Sequence, residues 1–150
     1  LPLMFPEQQE LTKIRDNFFD PFEYLMRHVK QEKINLEFKH SLGKVSYHAA
    51  CHQRVQNVGA KTREFLSLIP GSEVDMIERC SGHDGTYAVR SESYEKAMKI
   101  ARPVQLQIRE NNAGYVGSDC PMAGRLITHK LDTAEESVHP LTMVRHAYGI

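Results

Sequence analysis

Three short segments, each followed directly by a cysteine, limit most strongly what this chain can fold into. KVSYHAA precedes Cys51, EVDMIER precedes Cys80 and AGYVGSD precedes Cys120. Short runs of β-branched and aromatic residues between turn signals predict strands. Helical patterns separate these runs, and a strand–helix–strand order predicts parallel pairing. We therefore expect an α/β fold with a small parallel sheet flanked by helices, and cysteines at the C-terminal ends of the strands.

The helical segments differ in how clearly their ends are marked. FFDPFEYLMRHVKQEK predicts a helix with Asp20 as N-cap, Pro21 at its first position and apolar residues at helical spacing. Four further segments predict helices: RVQNVGAKTREFLSLI, SESYEKAMKIARPVQLQIREN, PMAGRLITH and HPLTMVRHAYGI. Pro103 is expected to kink or split the long one among them, and Pro140 to start the last.

Length, charge and cysteine count exclude several classes of protein. A chain of 150 residues is long enough for one compact core. We expect residues 1–42 to form a helical lead-in that packs on the core, and residues 43–150 to form a cysteine-rich domain. The 19 basic residues balance 19 acidic ones, which argues against nucleic acid as a partner. No apolar stretch approaches the roughly 20 residues of a transmembrane segment. An odd number of widely spaced cysteines without an export leader predicts free thiols in the reducing cytoplasm.

The cysteines predict a metal site at one edge of the sheet. If the strands are parallel, Cys51, Cys80 and Cys120 converge where open α/β folds bind their ligands. A helix N-terminus stabilises the thiolate, the form that binds metal. Two histidines next to these cysteines, His52 and His83, are candidate nitrogen ligands, with His48 and His139 as weaker ones. Core packing remains the ordinary role of a single cysteine taken alone.

Glycines near the cysteines are the expected backbone contribution to this site. Gly82, Gly85 and Gly124 leave room for a bulky inorganic ligand and can supply amide donors to its sulfur atoms.

Four stretches together resemble a known family. YHAACHQRVQNVG, IERCSGHDGTY, SDCPMAG and HPLTMVRHAYG are similar to the cysteine-rich CCG domain. This domain occurs in the B subunit of heterodisulfide reductase, in the C subunit of anaerobic glycerol-3-phosphate dehydrogenase and in related iron–sulfur proteins encoded beside rubrerythrin. The resemblance runs from about Gly43 to Ile150. It implies an iron–sulfur, electron-transfer module of a heterodisulfide-reductase-like oxidoreductase. The implied partner is a ferredoxin-type domain or another redox protein, with rubrerythrin-related proteins among the candidates. The implied location of this chain is the cytoplasm, either free or attached to the membrane through a partner.

This chain departs from the full family pattern at two positions. The pattern has five cysteines, but Ser81 replaces the second of its Cys-Cys pair and Ala123 replaces the last. Three thiolates suffice for a [4Fe–4S] cluster with one iron open or bound by histidine or water, or for a [3Fe–4S] cluster. They also suffice for zinc completed by one histidine. The alternatives to an electron-transfer module are a zinc-binding or metal-free interaction domain of a redox complex, and a thiol enzyme using Cys80 beside His83.

Overall fold

The computed structural model describes residues 3–57, 60–131 and 136–150. The helices, in chain order, are α1 (Gln9–Asp16), α2 (Pro21–Lys30), α3 (Cys51–Gln56), α4 (Lys61–Leu66), α5 (Ser91–Asn111), α6 (Pro121–Thr128) and α7 (Pro140–Tyr148). The strands are β1 (Lys44–His48), β2 (Glu73–Ile77) and β3 (Tyr115–Ser118), and a 3₁₀ turn spans Tyr87–Val89. The expected α/β fold with a small parallel sheet flanked by helices is confirmed.

The first strand occupies the centre of the sheet. The strand order is β2-β1-β3, and β1 pairs in parallel with both neighbours. His48, the last residue of β1, lies opposite Ile77 on one side and Ser118 on the other. All three strands therefore end at one edge, and the chain leaves each of them toward the same side of the molecule.

The two faces of the sheet are covered by different helices. The buried core on one face joins α2, α4 and α7 to β1, and it contains the edge-to-face pair of Phe22 and Phe65 at 5.8 Å. The core on the other face joins α5 and α6 to the sheet through Val104, Ile108 and Ile127. Side chains of β1 alternate between these faces, as a strand sandwiched between two helical layers requires.

Local signals explain where several helices begin. The Asp20 carboxylate caps α2 by accepting the N–H groups of Phe22 at 2.9 Å and Glu23 at 3.3 Å, and Pro21 is the first helical residue, as expected. Helix α7 starts at Pro140, also as expected. Helix α1 buries none of its residues. The division of the chain at residue 43 stays a prediction.

Two expectations about helices need correction. The segment from Arg54 to Ile69 forms two short helices, α3 and α4, instead of one; Val58 and Gly59 in its middle lie outside the described residues. Pro103 does not split α5, which runs from Ser91 to Asn111 as one helix, and a kink at Pro103 stays a prediction. Packing of its apolar face against the sheet outweighs the hydrogen bond that proline removes. No helix among the described residues is long and apolar enough to cross a membrane.

Candidate functional site

The three cysteines follow the ends of three adjacent strands. Cys51 is the third residue after β1 and the first of α3, whereas Cys80 is the third residue after β2. Cys120 is the second residue after β3 and the N-cap of α6. All three thiols are free, Cys51 and Cys80 being exposed and Cys120 half-buried. In the described ranges, no three His, Cys, Asp or Glu side chains form a group that could hold a metal ion.

Polar groups approach two of the sulfur atoms. The backbone N–H of Gly82 donates to Sγ of Cys80 at 3.4 Å. Nη2 of Arg54 lies 3.8 Å from Sγ of Cys51, one turn along α3. Both sulfur atoms therefore already accept from a polar N–H group of the protein at this edge.

The three glycines near the cysteines have different surroundings. A Cβ at Gly82 would lie 2.3 Å from the carbonyl oxygen of Ala97 in α5, and one at Gly124 would lie 2.2 Å from Oγ of Ser137. Close packing within the protein therefore accounts for these two glycines. Gly85 has a φ of +51°, and a Cβ at this position would have no atom within 4 Å, which is typical of an open turn.

The histidines expected as ligands lie in separate surface cavities. His52 is exposed on α3 and borders a cavity of about 470 Å³ together with Phe18 and Phe19. His83 is half-buried and borders a cavity of about 200 Å³ together with Tyr94 and Met122. The two cavities share no lining residue, and the role of both histidines as ligands stays a prediction.

The two weaker histidine candidates already have hydrogen-bond partners. Nδ1 of His139 accepts the N–H of Leu141 at the start of α7. His48 is buried, and its Nδ1 lies 3.1 Å from Oγ of Ser118 while its Nε2 lies 2.8 Å from the carbonyl oxygen of Arg79. Burial lowers the pKa of His48 below its ordinary value. The hydrogen bond to Arg79 acts in the opposite direction, but its effect on the pKa is smaller. A neutral imidazole with both nitrogens engaged has no lone pair to offer a metal.

A polar network beneath the cysteine edge was not anticipated from the sequence. The hydroxyl of Tyr47 contacts Oε1 of Gln53 and Oδ2 of Asp119, and Thr62 Oγ1 lies 3.3 Å from both oxygens of Asp119. Burial raises the pKa of Asp119, and burial together with that carboxylate raises the pKa of Tyr47. The only sequence signal for this network is a tyrosine on the buried central strand and an aspartate after the neighbouring one.

Comparison with known proteins finds curated relatives of this chain. Over 135 residues, 89% of its length, the chain is 31% identical to the C subunit of anaerobic glycerol-3-phosphate dehydrogenase from Escherichia coli strain K12. The same values hold for that protein from Escherichia coli O157:H7. The match covers 33% of each relative, so the chain spans about one third of the length of the curated relatives it matches.

Two other comparisons give no match. No protein-family model matches the chain, and no solved structure matches it significantly. The narrower assignment to the CCG domain and the association with rubrerythrin stay predictions. Along most of its length, the chain is therefore related in sequence to one third of the C subunit of anaerobic glycerol-3-phosphate dehydrogenase.

Proposed function

We propose that this chain is an electron-transfer module whose iron–sulfur cluster is held by Cys51, Cys80 and Cys120. The observation that carries the proposal is the placement of these cysteines, each two or three residues beyond the end of one of three adjacent parallel strands. In open α/β sheets this edge is where ligands bind. The similarity to one component of a multi-subunit dehydrogenase supports a role in a redox complex.

The chemistry of the donor set fits such a cluster. Three free thiols, none of them fully buried, are the ligands that iron–sulfur clusters use. The N–H of Gly82 donates to Sγ of Cys80 already in the protein alone, and hydrogen bonds to ligand sulfur tune cluster potentials. When bound, the cluster would supply one-electron transfer. A [4Fe–4S] cluster with its fourth iron open to His52, His83 or water and a [3Fe–4S] cluster both match three thiolates.

The proposed partner is a protein that delivers or removes single electrons. This chain carries three cysteines at wide spacing, whereas a ferredoxin-type domain needs a closely spaced run of them. We therefore propose that a ferredoxin-type domain or another redox protein, such as a rubrerythrin-related one, exchanges electrons with this module. The proposed location is the cytoplasm. Because the relatives belong to a dehydrogenase complex, we also propose attachment to the membrane surface through a partner as an alternative.

Anaerobic purification and reconstitution test the proposal directly. The expected result is a brown protein with an electron paramagnetic resonance signal after reduction or oxidation. Iron and acid-labile sulfide should be present in equal amounts for a [4Fe–4S] cluster, or as three irons to four sulfides for a [3Fe–4S] cluster. Separate Cys51→Ala, Cys80→Ala and Cys120→Ala variants should each lose most of the bound iron. Ser81→Ala is the matched control, because it changes the residue beside Cys80 and leaves all three thiols. A colourless, iron-free product from the wild-type chain under strictly anaerobic conditions would overturn the proposal.

A second candidate function is favoured by the two positions where the family pattern has further cysteines. Ser81 and Ala123 are 2% and 4% exposed, and Oγ of Ser81 accepts the N–H of His83. Small side chains packed into the protein at these positions suit a zinc-binding or metal-free domain that docks redox partners. In that case the same experiment gives colourless protein, with stoichiometric zinc or with no metal.

A further inference from the structure

His48 connects the segments that carry two of the cysteines. It is 1% exposed and ends the central strand, and its ring contacts β3 on one side and the segment after β2 on the other. Nε2 contacts the carbonyl oxygen of Arg79, the residue before Cys80, at 2.8 Å. Nδ1 contacts Oγ of Ser118 at 3.1 Å, and the same Oγ accepts the N–H of Cys120 at 3.3 Å.

For a neutral His48 ring, the partners fix the direction of every hydrogen bond in this series. A backbone carbonyl only accepts, so Nε2 of His48 carries the proton that it donates to Arg79. In the neutral ring Nδ1 is then an acceptor, and the hydroxyl of Ser118 donates to it. Oγ of Ser118 keeps its lone pairs for the N–H of Cys120. The lowered pKa of His48 is consistent with the neutral ring that this arrangement requires.

We propose that His48 is a positioning residue that holds the Cys80 and Cys120 segments in a fixed arrangement. The hydrogen bonds run from the Cys120 amide through the Ser118 hydroxyl and the His48 ring to the Arg79 carbonyl. A displacement of either segment breaks a bond to a group buried in the sheet edge, and unpaired buried polar groups are costly. The link to cluster binding rests on the proposed function, whereas the hydrogen-bonded series itself does not.

Another hydrogen bond on the same face of the same strand provides a control. Ser46 is fully buried two residues before His48, and its Oγ accepts a hydrogen bond from Nδ2 of Asn111 at 2.8 Å. That hydrogen bond joins β1 to the end of α5 and involves no segment that carries a cysteine. Ser46→Ala therefore removes a buried hydrogen bond from β1 while leaving the His48 series intact.

The first test uses nitrogen-15 NMR on the reduced, metal-free chain. We expect His48 in the Nε2–H tautomer, with Nδ1 unprotonated and the Nε2 proton protected from exchange with water. Ser118→Ala should shift the Nδ1 resonance, because its donor is gone, and leave Nε2 bound to Arg79. A His48 ring in the Nδ1–H tautomer, or one whose Nδ1 resonance is the same with and without Ser118, would overturn the proposal.

The second test follows amide hydrogen exchange at Cys120 and Gly82, one reporter in each segment. His48→Leu should raise both exchange rates, roughly tenfold for loss of one buried hydrogen bond each. His48→Asn places its amide near the Nδ1 position and should keep amide exchange slow at Cys120 alone. His48→Gln places its amide near the Nε2 position and should keep amide exchange slow at Gly82 alone. Ser46→Ala should change neither. Equal exchange at both amides in wild type and His48→Leu contradicts the proposal, and the comparison of His48→Asn with His48→Gln decides the matter if His48→Leu fails to fold.

A third measurement separates this inference from the proposed function. After anaerobic reconstitution, His48→Leu should alter the reduction potential and the paramagnetic resonance signal of the cluster, and Ser46→Ala should retain both. If the wild-type chain takes up no cluster, the proposed function fails while the two tests on metal-free protein still decide the role of His48. If the cluster binds and His48→Leu has wild-type spectra and potential, the positioning role is overturned.

Discussion

The hydroxyl oxygen of Tyr47 lies 2.5 Å from Oδ2 of Asp119, although 72 residues separate the two in sequence. The same hydroxyl lies 2.5 Å from Oε1 of Gln53, whose Nε2 is 3.3 Å from Oγ1 of Thr62. One hydroxyl proton serves only one of two oxygen neighbours. The Tyr47 hydroxyl donates to Asp119 or to Gln53, Nε2 of Gln53 donates to Thr62, and the Thr62 hydroxyl donates to Asp119, so the four side chains close a ring. This ring ties the central strand to α3, α4 and the segment after β3.

Tyr47→Phe should lower the free energy of unfolding. The phenyl ring keeps the packing, but the oxygens of Gln53 and Asp119 lose a partner, which costs about 1–3 kcal/mol. Tyr148→Phe is the control, because the Tyr148 hydroxyl donates to the Asn35 carbonyl at an exposed position where water can replace it. Urea unfolding of the metal-free chain measures both, and equal midpoints for wild type and Tyr47→Phe would contradict the ring.

Gly82→Ala should destabilise the protein far more than Gly85→Ala. Both glycines have positive φ, at +80° and +51°, so each alanine bears a backbone cost of about 1–2 kcal/mol. At Gly82 the new methyl also meets the Ala97 carbonyl oxygen in α5, and overpacking adds about 1–3 kcal/mol. Urea unfolding of the two variants makes the comparison. A Gly82→Ala variant no less stable than Gly85→Ala would show that α5 does not approach this turn as described.

Acid should weaken the fold in part through His48. Its pKa in the folded protein lies below the ordinary value of 6.5, so the unfolded chain takes up a proton at higher pH than the folded one does. The stabilisation from a neutral His48 is therefore present above pH 6.5 and is lost as the pH falls through the lower pKa of the folded state. The slope from one group is at most about 1.4 kcal/mol per pH unit.

The non-titrating His48→Asn variant isolates this contribution. Unfolding free energies of wild type and variant, measured between neutral and mildly acidic pH, should converge as the pH falls. Parallel curves would mean that His48 has the same proton affinity in the folded and unfolded chain.

Pro103→Ala should stabilise the protein. Pro103 is exposed inside α5, where it removes the hydrogen bond to the Lys99 carbonyl at a cost of up to about 3 kcal/mol. Arg102→Ala is the neighbouring control, since arginine and alanine have similar helix propensities. Thermal unfolding should show a higher midpoint for Pro103→Ala and little change for Arg102→Ala. A lower midpoint for Pro103→Ala would indicate that the proline ring has a packing role.

The sequence predicts those parts of the fold that depend on neighbouring residues. The strand before each cysteine follows from short β-branched runs, and the starts of α2 and α7 follow from local caps and prolines. The break between α3 and α4 was missed because apolar residues continue at helical spacing from Val55 to Phe65. Periodicity records which face is apolar but not whether the backbone remains helical.

The polar groups beneath the cysteine edge depend on contacts between distant residues. His48 meets partners 31 and 70 residues away, and Tyr47 meets one 72 residues away. A single sequence does not indicate which distant residue a buried histidine or tyrosine will contact. For this reason the sequence offers His48 as a metal ligand, whereas the structure places both of its nitrogens against protein atoms.

Because β1 is the middle strand, its terminal side chain is flanked by two strands, whereas the last residue of a peripheral strand is flanked by one. A one-residue slip of β1 would turn the imidazole to the opposite face of the sheet and send the Tyr47 phenol the other way. The hydrogen bonds of His48 to Ser118 and of Tyr47 to Asp119 would then be lost together. The alignment of five residues, Lys44 to His48, thus governs how two loops far apart in the chain are held relative to each other.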